Sequence, residues 1–298
     1  MQIGLVGLGK MGWNLALNCI GRGHDPIVYD IDEVVRTQAR DEGFTVANSL
    51  QDLANKLQQR RVIWLMIPAG SPVDSVLAQL KPFLSATDII IEGGNSHYKD
   101  SVLRATELSR SGIYLLDCGT SGGINGALNG ICAMIGGDKD AFAYCEPLFS
   151  SISVQDGYLY CGESGSGHFA KMVHNGIEYG MMQSIAEGFE VLQQSGYTFS
   201  YENIAKLWNN GSVIRGWLME LVQQVFAKDP RLESIKGIVR SSGEGKWMVE
   251  TALEKNISTP VIALSLLMRY RSLQEDTFSG KLVASLRNEF GGHAVTKV

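Results

Sequence analysis

Along the first half of the chain, short apolar runs alternate with segments whose apolar positions recur at the helical period. The runs fall at residues 2–6, 27–29, 62–67, 88–92, 113–117, 131–135 and 158–160. Between them lie helical patterns, among them one carried by Trp13, Leu15, Ala16, Leu17 and Ile20 and others at 49–57 and 138–148. Ser71-Pro72 supplies an N-cap and a first-turn proline for a further short helix. Runs that are continuously apolar suit strands covered on both faces, so the alternation predicts a parallel, doubly wound α/β sheet. From Ser166 onward only helical periodicity remains, at 166–194, 201–209, 213–227, 246–253, 260–273 and 277–290. The change of pattern near Gly162 to Gly165 predicts a Rossmann-type dinucleotide domain over 1–162 and an all-α domain over 163–298.

The long helix carries a polar stripe. Lys171, His174, Asn175 and Glu178 fall at i, i+3, i+4 and i+7, while Phe169, Met172, Val173, Ile177, Met181 and Met182 around them are apolar. Spacing alone allows two readings, a solvated surface stripe or a lysine, a carboxylate, an imidazole and an amide converging on a small polar ligand. The stripe begins where the nucleotide domain ends, the place where two-domain enzymes bind substrate, and this favours an active site.

The first apolar run is followed by Gly7-Leu8-Gly9-Lys10-Met11-Gly12 and then a helix, which is GxGxxG in its proper strand-turn-helix setting. Gly7 suits a tight turn, Gly9 a close approach to a pyrophosphate, and Gly12 the packing of helix on strand. Asp30, ending the second run, stands near the spacing at which a carboxylate meets the adenosine ribose; the other reading is a polar strand end. Two further glycine-rich stretches, Gly93-Gly94-Asn95-Ser96 and Gly119-Thr120-Ser121-Gly122-Gly123, read as loops after strand ends, the side on which such sheets bind ligands.

Composition narrows the classes. The length of 298 residues suits one large or two ordinary domains, and 45% hydrophobic content is ample for a full core. A net charge of −5 and no basic run argue against nucleic acid and anionic membrane as partners, and no apolar run reaches membrane-spanning length. The N-terminus lacks the basic region and cleavage site of a signal peptide. Cys19, Cys118, Cys132, Cys145 and Cys161 show no metal-ligand spacing and read as reduced core thiols of a cytoplasmic protein, with no metal site.

The glycine block at 7–12, Gly-Gly-Asn-Ser at 93–96, Thr-Ser-Gly-Gly at 120–123 and Lys-Met-Val-His-Asn-Gly-Ile-Glu-Tyr-Gly at 171–180 together resemble the 6-phosphogluconate dehydrogenases, a branch of the β-hydroxyacid dehydrogenases. The similarity runs over essentially the whole chain, and the last block is its most specific part. It implies oxidative decarboxylation of 6-phosphogluconate to ribulose 5-phosphate and CO2 with reduction of NAD, a step of the pentose phosphate pathway and of gluconate utilisation. By that resemblance, Lys171 is the general base and Glu178 the general acid. Asn95, Ser121, Gly122, Gly123, His174 and Asn175 hold the carboxylate and hydroxyls, with Asn95 also beside the cofactor. Tyr179 and Arg269 are similar to the family's phosphate ligands, and Arg287 and His293 to an Arg…His tail that longer members bring from a neighbouring subunit. Where those members place a lysine and a threonine ahead of Gly-Lys-Trp, this chain has Ser242 and Glu244. It also lacks their second helical half, as short members do.

The residue types suit the chemistry. Removing a hydroxyl proton while hydride leaves needs a neutral base, and burial beside a cationic ring disfavours a lysine's ammonium form. Once protonated, the same lysine polarises the keto acid for loss of CO2, and a carboxyl group on the same helix face can return a proton. A related β-hydroxyacid dehydrogenase or imine reductase would leave Glu178, Tyr179 and the tail without a purpose, and a catalytically silent nucleotide sensor would not need Lys171. Asp30, with no arginine directly after it, predicts NAD over NADP; the tail predicts a homo-oligomer.

Overall fold

The computed structural model describes residues 1–297. The chain divides into two compact units, Met1 to His174 and Asn175 onward.

In the first unit the elements run β1 (Gln2–Val6), α1 (Lys10–Gly21), β2 (Asp25–Tyr29), α2 (Glu33–Asp41), β3 (Thr45–Val46), α3 (Leu50–Lys56), β4 (Val62–Leu65), α4 (Ser71–Leu80), β5 (Ile89–Glu92), α5 (Tyr98–Ser109), β6 (Tyr114–Ser121), α6 (Gly123–Asn129), β7 (Ile131–Gly137), α7 (Lys139–Ile152) and β8 (Ser153–Gly162). The sheet order is β3-β2-β1-β4-β5-β6-β7-β8. Strands β1 to β6 pair in parallel, β7 runs antiparallel to β6, and β8 is parallel to β7. The reversal at β7 has a simple cause. A parallel return needs a crossover of a dozen residues or more, and α6 with its flanking glycines is shorter than that.

Successive residues of a strand feed opposite faces. Ile3, Leu5, Trp64, Ile89 and Ile91 join Leu15, Ala16 and Cys19 of α1 and Phe142, Leu148 and Phe149 of α7 in one core layer. Val6, Ile63, Leu65 and Ile90 join Leu53 of α3, Leu77 of α4 and Leu108 of α5 in the other. Helices on both faces are what the unbroken apolar runs required, and the order reverses between β1 and β4, where β1 and β2 turn one way and β4 and β5 the other.

Several sequence expectations are corrected. Ser71 is the first helical residue of α4 and not its cap; Gly70 holds that place with φ 84°, a left-handed conformation that a serine would resist. The run at 62–67 is strand only to Leu65. The stretch 119–121 is not a loop: it extends β6, because Gly119, Thr120 and Ser121 pair with Met134, Ala133 and Cys132 of β7. A turn-like composition yields there to a long-range partner. Of the five thiols, Cys132 is exposed and Cys161 half-buried, since β7 and β8 lie at the end of the sheet and turn alternate residues outward; Cys19, Cys118 and Cys145 are core, and burial pushes each of them up to about 12.

The second unit continues α8 (Ser166–Gln194), whose first residues belong to the first unit, with α9 (Tyr201–Asn209), α10 (Trp217–Lys228), α11 (Gly243–Glu254), α12 (Pro260–Ser272) and α13 (Phe278–Gly291). The expected start of α10 at 213 is wrong: Gly216 at φ 155° blocks propagation, and Val213 is exposed. Phe189 of α8, Ala205 of α9 and Met219 and Phe226 of α10 form the core of this unit.

Asp88, just before β5, accepts from Arg61 Nη1 at 2.9 Å and from the backbone amides of Arg61 and Ser85 at 2.8 Å each. Asp88→Ala would leave a nearly buried guanidinium uncompensated, at a cost of about 3 kcal/mol. Chemical denaturation should show that loss, with the affinity for dinucleotide unchanged because the ion pair lies at the amino ends of the strands.

Candidate active site

The glycine loop after β1 is shaped by contacts that only glycines allow. Gly7 has φ 96°, and a Cβ there would press on the backbone oxygen of Met66; a Cβ on Gly12 would collide with the carbonyl of Gly7. At Gly9 a Cβ would meet nothing within 4 Å, so this position is open to a ligand. Gly9 caps α1 with no side chain bonded to the first-turn amides of Lys10, Met11 and Gly12, and such a bare helix start attracts anions. A cradle of this form fits a pyrophosphate.

Asp30 sits beside it with a second duty. Its carboxylate accepts from the amide of Leu8 at 2.7 Å and from that of Asp32 at 2.9 Å, tying the glycine loop to the end of β2. Leu8 itself packs in the core. Arg36, the nearest basic residue on α2, donates to the carbonyls of Asp30 (2.7 Å) and Ile31 (3.0 Å) and pairs with Glu33.

Asn95 and Lys171 are placed by buried groups that sequence reasoning missed. Glu92, fully buried at the end of β5, accepts from Ser96, from Ser101 at 3.4 Å and from Arg104 Nη1 at 3.2 and 3.3 Å. Arg104 goes on to Asp74 at 2.7 Å and to the carbonyl of Gly70 at 3.1 Å. Burial works against its charge, yet the hydrogen bond to Asp74 and the fields of Glu92, Asp74 and Asp100 raise the guanidinium above its usual range. Asn95 stands exposed on the loop so anchored.

At the start of α8, the carboxylate of Asp117 on β6 accepts from the amides of Gly165 at 2.7 Å and His168 at 2.8 Å, capping the helix from another element. Three glycines let the helix lie against the sheet. A Cβ on Gly167 would strike the carbonyls of Asp117 and Met134, one on Gly136 the amide of Gly167, and one on Gly119 the side chain of Lys171. Lys171 is therefore buried over the end of β6, and His174 lies 3.3 Å by Nε2 from the hydroxyl of Ser121. Gly122, left-handed at φ 107°, and Gly123 open α6 just beyond. A signal for Asp117 and Glu92 was present in the sequence: each is a lone acid closing an apolar run.

In the second unit Asn175 and Tyr179 are buried and Glu178 is half-buried. The guanidinium of Arg269 stacks 3.3 Å above the ring of Tyr179, whose hydroxyl meets that of Ser242 at 3.1 Å. Gly245 is required by the same ring, since a Cβ would enter it. Glu244 between them is buried, with one carboxylate oxygen unbonded among the described residues. Arg287 and His293 are exposed; the contacts of His293 are local, its carbonyl to Asn288 at 2.8 Å and its ring to Phe290. Among the described residues no cluster of His, Cys, Asp and Glu forms a metal site, and no helix is long and apolar enough to cross a membrane.

Comparison with known proteins gives the arrangement a family. The model of the NAD binding domain of 6-phosphogluconate dehydrogenase matches residues 2–162, and that of the 6-phosphogluconate dehydrogenase C-terminal domain matches 167–280. YqeC of Bacillus subtilis (strain 168), which carries that dehydrogenase name provisionally, is 54% identical over 297 residues, covering 100% of both chains. The NAD(+)-dependent, decarboxylating 6-phosphogluconate dehydrogenase of Haloferax volcanii is 41% identical over 299 residues, covering 100% of this chain and 99% of its own. Among solved structures, the Plasmodium falciparum 6-phosphogluconate dehydrogenase superposes with a TM-score of 0.83 at 30% identity, covering 100% of this chain and 66% of that longer one. A 3-hydroxyisobutyrate dehydrogenase of Mycobacterium tuberculosis, at 19% identity and a TM-score of 0.74 over 91% of this chain and 92% of its own, shares the fold. Sequence and fold agree over both units, and the chain belongs to the 6-phosphogluconate dehydrogenase family.

Proposed function

We propose that the chain oxidatively decarboxylates 6-phospho-D-gluconate to D-ribulose 5-phosphate, using NAD in preference to NADP. The observation that carries this reading is Lys171, buried against Gly119 on a helix whose start is fixed by Asp117, in a chain of this family.

Gly7, Gly9 and Gly12, with the amides of Lys10 and Met11, would hold the dinucleotide, Leu8 packing beneath, and a bound NAD would supply the acceptor for the hydride from C3. The amine of Lys171 takes the C3 hydroxyl proton as the C3–H bond is lost, and its ammonium then faces the new carbonyl, stabilising the charge that builds there as the C1–C2 bond breaks and CO2 leaves. The ammonium passes its proton to that oxygen as the enediol forms and takes it back as Glu178 delivers a proton to C1 of the enediol. Asn95, Ser121, Gly122, Gly123, His174 and Asn175 bind the carboxylate and hydroxyls, and Tyr179, Ser242 and Arg269 receive the phosphate. One observation favours a second reading, an unphosphorylated β-hydroxyacid: the buried carboxylate of Glu244, on the helix start beside Tyr179, would repel a phosphate dianion.

A panel of phosphorylated and unphosphorylated sugar acids separates the two. We expect 6-phosphogluconate to give CO2 and reduced cofactor in equal amounts; Lys171→Met should abolish both, while Glu178→Gln should oxidise a first equivalent and stall in the proton return to C1. Turnover of gluconate in preference to its phosphate would select the second reading.

Asp30 supports NAD because its carboxylate would repel a 2′-phosphate and Arg36 is occupied by backbone carbonyls. Asp30→Asn keeps an acceptor for the Leu8 amide while removing the charge. Direct titration should show the ratio of NAD to NADP affinity falling about tenfold, the equivalent of roughly 1.4 kcal/mol; an unchanged ratio would remove Asp30 from the discrimination.

Self-association is supported by α13. Phe278, Leu282, Leu286 and Phe290 recur every fourth residue, all exposed, and α13 buries no residue in this chain. An apolar stripe of that length is stabilised by cover from a second copy. Arg287 and His293, on the same segment, then act in the neighbour's site. Arg287→Ala and Lys171→Met should each be inactive alone, and their heterodimers should regain activity through one intact composite site; failure in verified heterodimers rules out the shared site.

A further inference from the structure

Within the first unit, the loop bearing Asn95 and the helix bearing Lys171 come from separate parts of the chain, and a buried polar connection between them runs through one hydroxyl. Ser101, fully buried on α5, lies 3.4 Å from Glu92 Oε2 on one side and 2.7 Å from His168 Nδ1 on the other. Glu92 holds Ser96, next to Asn95, and is held in turn by Arg104. His168 stands one helical turn before Lys171, and its amide is fixed by Asp117. The imidazole is 1% exposed, and its Nε2 has no partner among the described residues, so Nδ1 is the atom through which the ring is oriented.

We infer that Ser101 is a positioning residue: its hydroxyl bridges Glu92 and His168 and so keeps Asn95 and Lys171 in fixed relation to each other. The hydroxyl has one proton and lone pairs to spare, so it serves both neighbours at once only when that proton goes to Glu92 and the ring donates to it. If it donates to Nδ1, its oxygen faces Glu92 without a hydrogen bond; if it donates to Glu92, Nδ1–H donates to it and the chain from carboxylate to imidazole is complete. The second arrangement satisfies more groups, and it fixes His168 as the Nδ1–H tautomer. None of these residues touches substrate in the proposed reaction. They act through the two segments they join, and rigid outer contacts of this kind are what keep reacting groups within a fraction of an ångström.

The inference rests on the proposed roles of Asn95 and Lys171, and its test has one arm that needs no substrate. In Ser101→Ala, amide deuterium exchange should speed at least tenfold both in peptides covering 93–96 and in those covering 165–171, with peptides of β1 and β4 unchanged. The 15N signals of His168 should move from the pattern of a fixed Nδ1–H tautomer towards that of a mixture. A purely local packing role would loosen α5 alone, or all of the sheet together, and either result overturns the bridge. The second arm uses whichever sugar acid the native enzyme oxidises. Ser101→Ala should lower kcat at least tenfold with KM for the cofactor within twofold, and Ser101→Cys, which keeps a weak donor, should recover part of it. Coupled loosening without a fall in kcat would sustain the bridge and overturn the placing of both segments at the reaction; a native enzyme inactive on every sugar acid would overturn the proposed function and leave the exchange result standing.

Discussion

The carboxylate of Asp117 is the point on which the first unit's arrangement around Lys171 turns. A helix of 29 residues begins there, and its first free amides are satisfied by a side chain from the middle of β6 and not by a residue of its own sequence. Because β6 also ends in Ser121, a single strand sets the start of the helix, the bed beneath Lys171 and the hydroxyl that meets His174. Capped by the sheet, the helix has its start fixed relative to β6, and with it the position of Lys171.

Much of this was legible from the chain alone. The unbroken apolar runs at 62–65 and 89–91 required cover on both faces, and the two core layers supply it. The glycines at 7, 9 and 12 adopt the three distinct environments their spacing implied, one left-handed, one open and one packed. The polar positions of α8 were visible because a 3.6-residue period survives in any helix.

What was missed shares a cause. The extension of β6 through Gly119, Thr120 and Ser121 depends on β7, a partner in the opposite sense that local composition does not announce. The network of Glu92, Ser101, Arg104 and His168 reaches from α5 to a histidine 67 positions beyond Ser101, which no periodicity reports. Glu92 and Asp117 enter the sequence pattern only as the last residues of apolar runs, yet they are among the most buried groups in the molecule. A charge placed there is tolerated only with partners, so each such acid was a sign of a buried network.

The seam where α8 lies on the sheet has a consequence for mutational robustness. A core isoleucine can be exchanged for valine or leucine in half-steps, with the neighbours giving a little each time. Gly119, Gly136 and Gly167 have no half-step: every other amino acid adds at least a Cβ, and at each of the three it lands on backbone or on Lys171. These sharply constrained positions carry no functional group at all, and variation there would be removed for reasons of shape before chemistry was ever sampled.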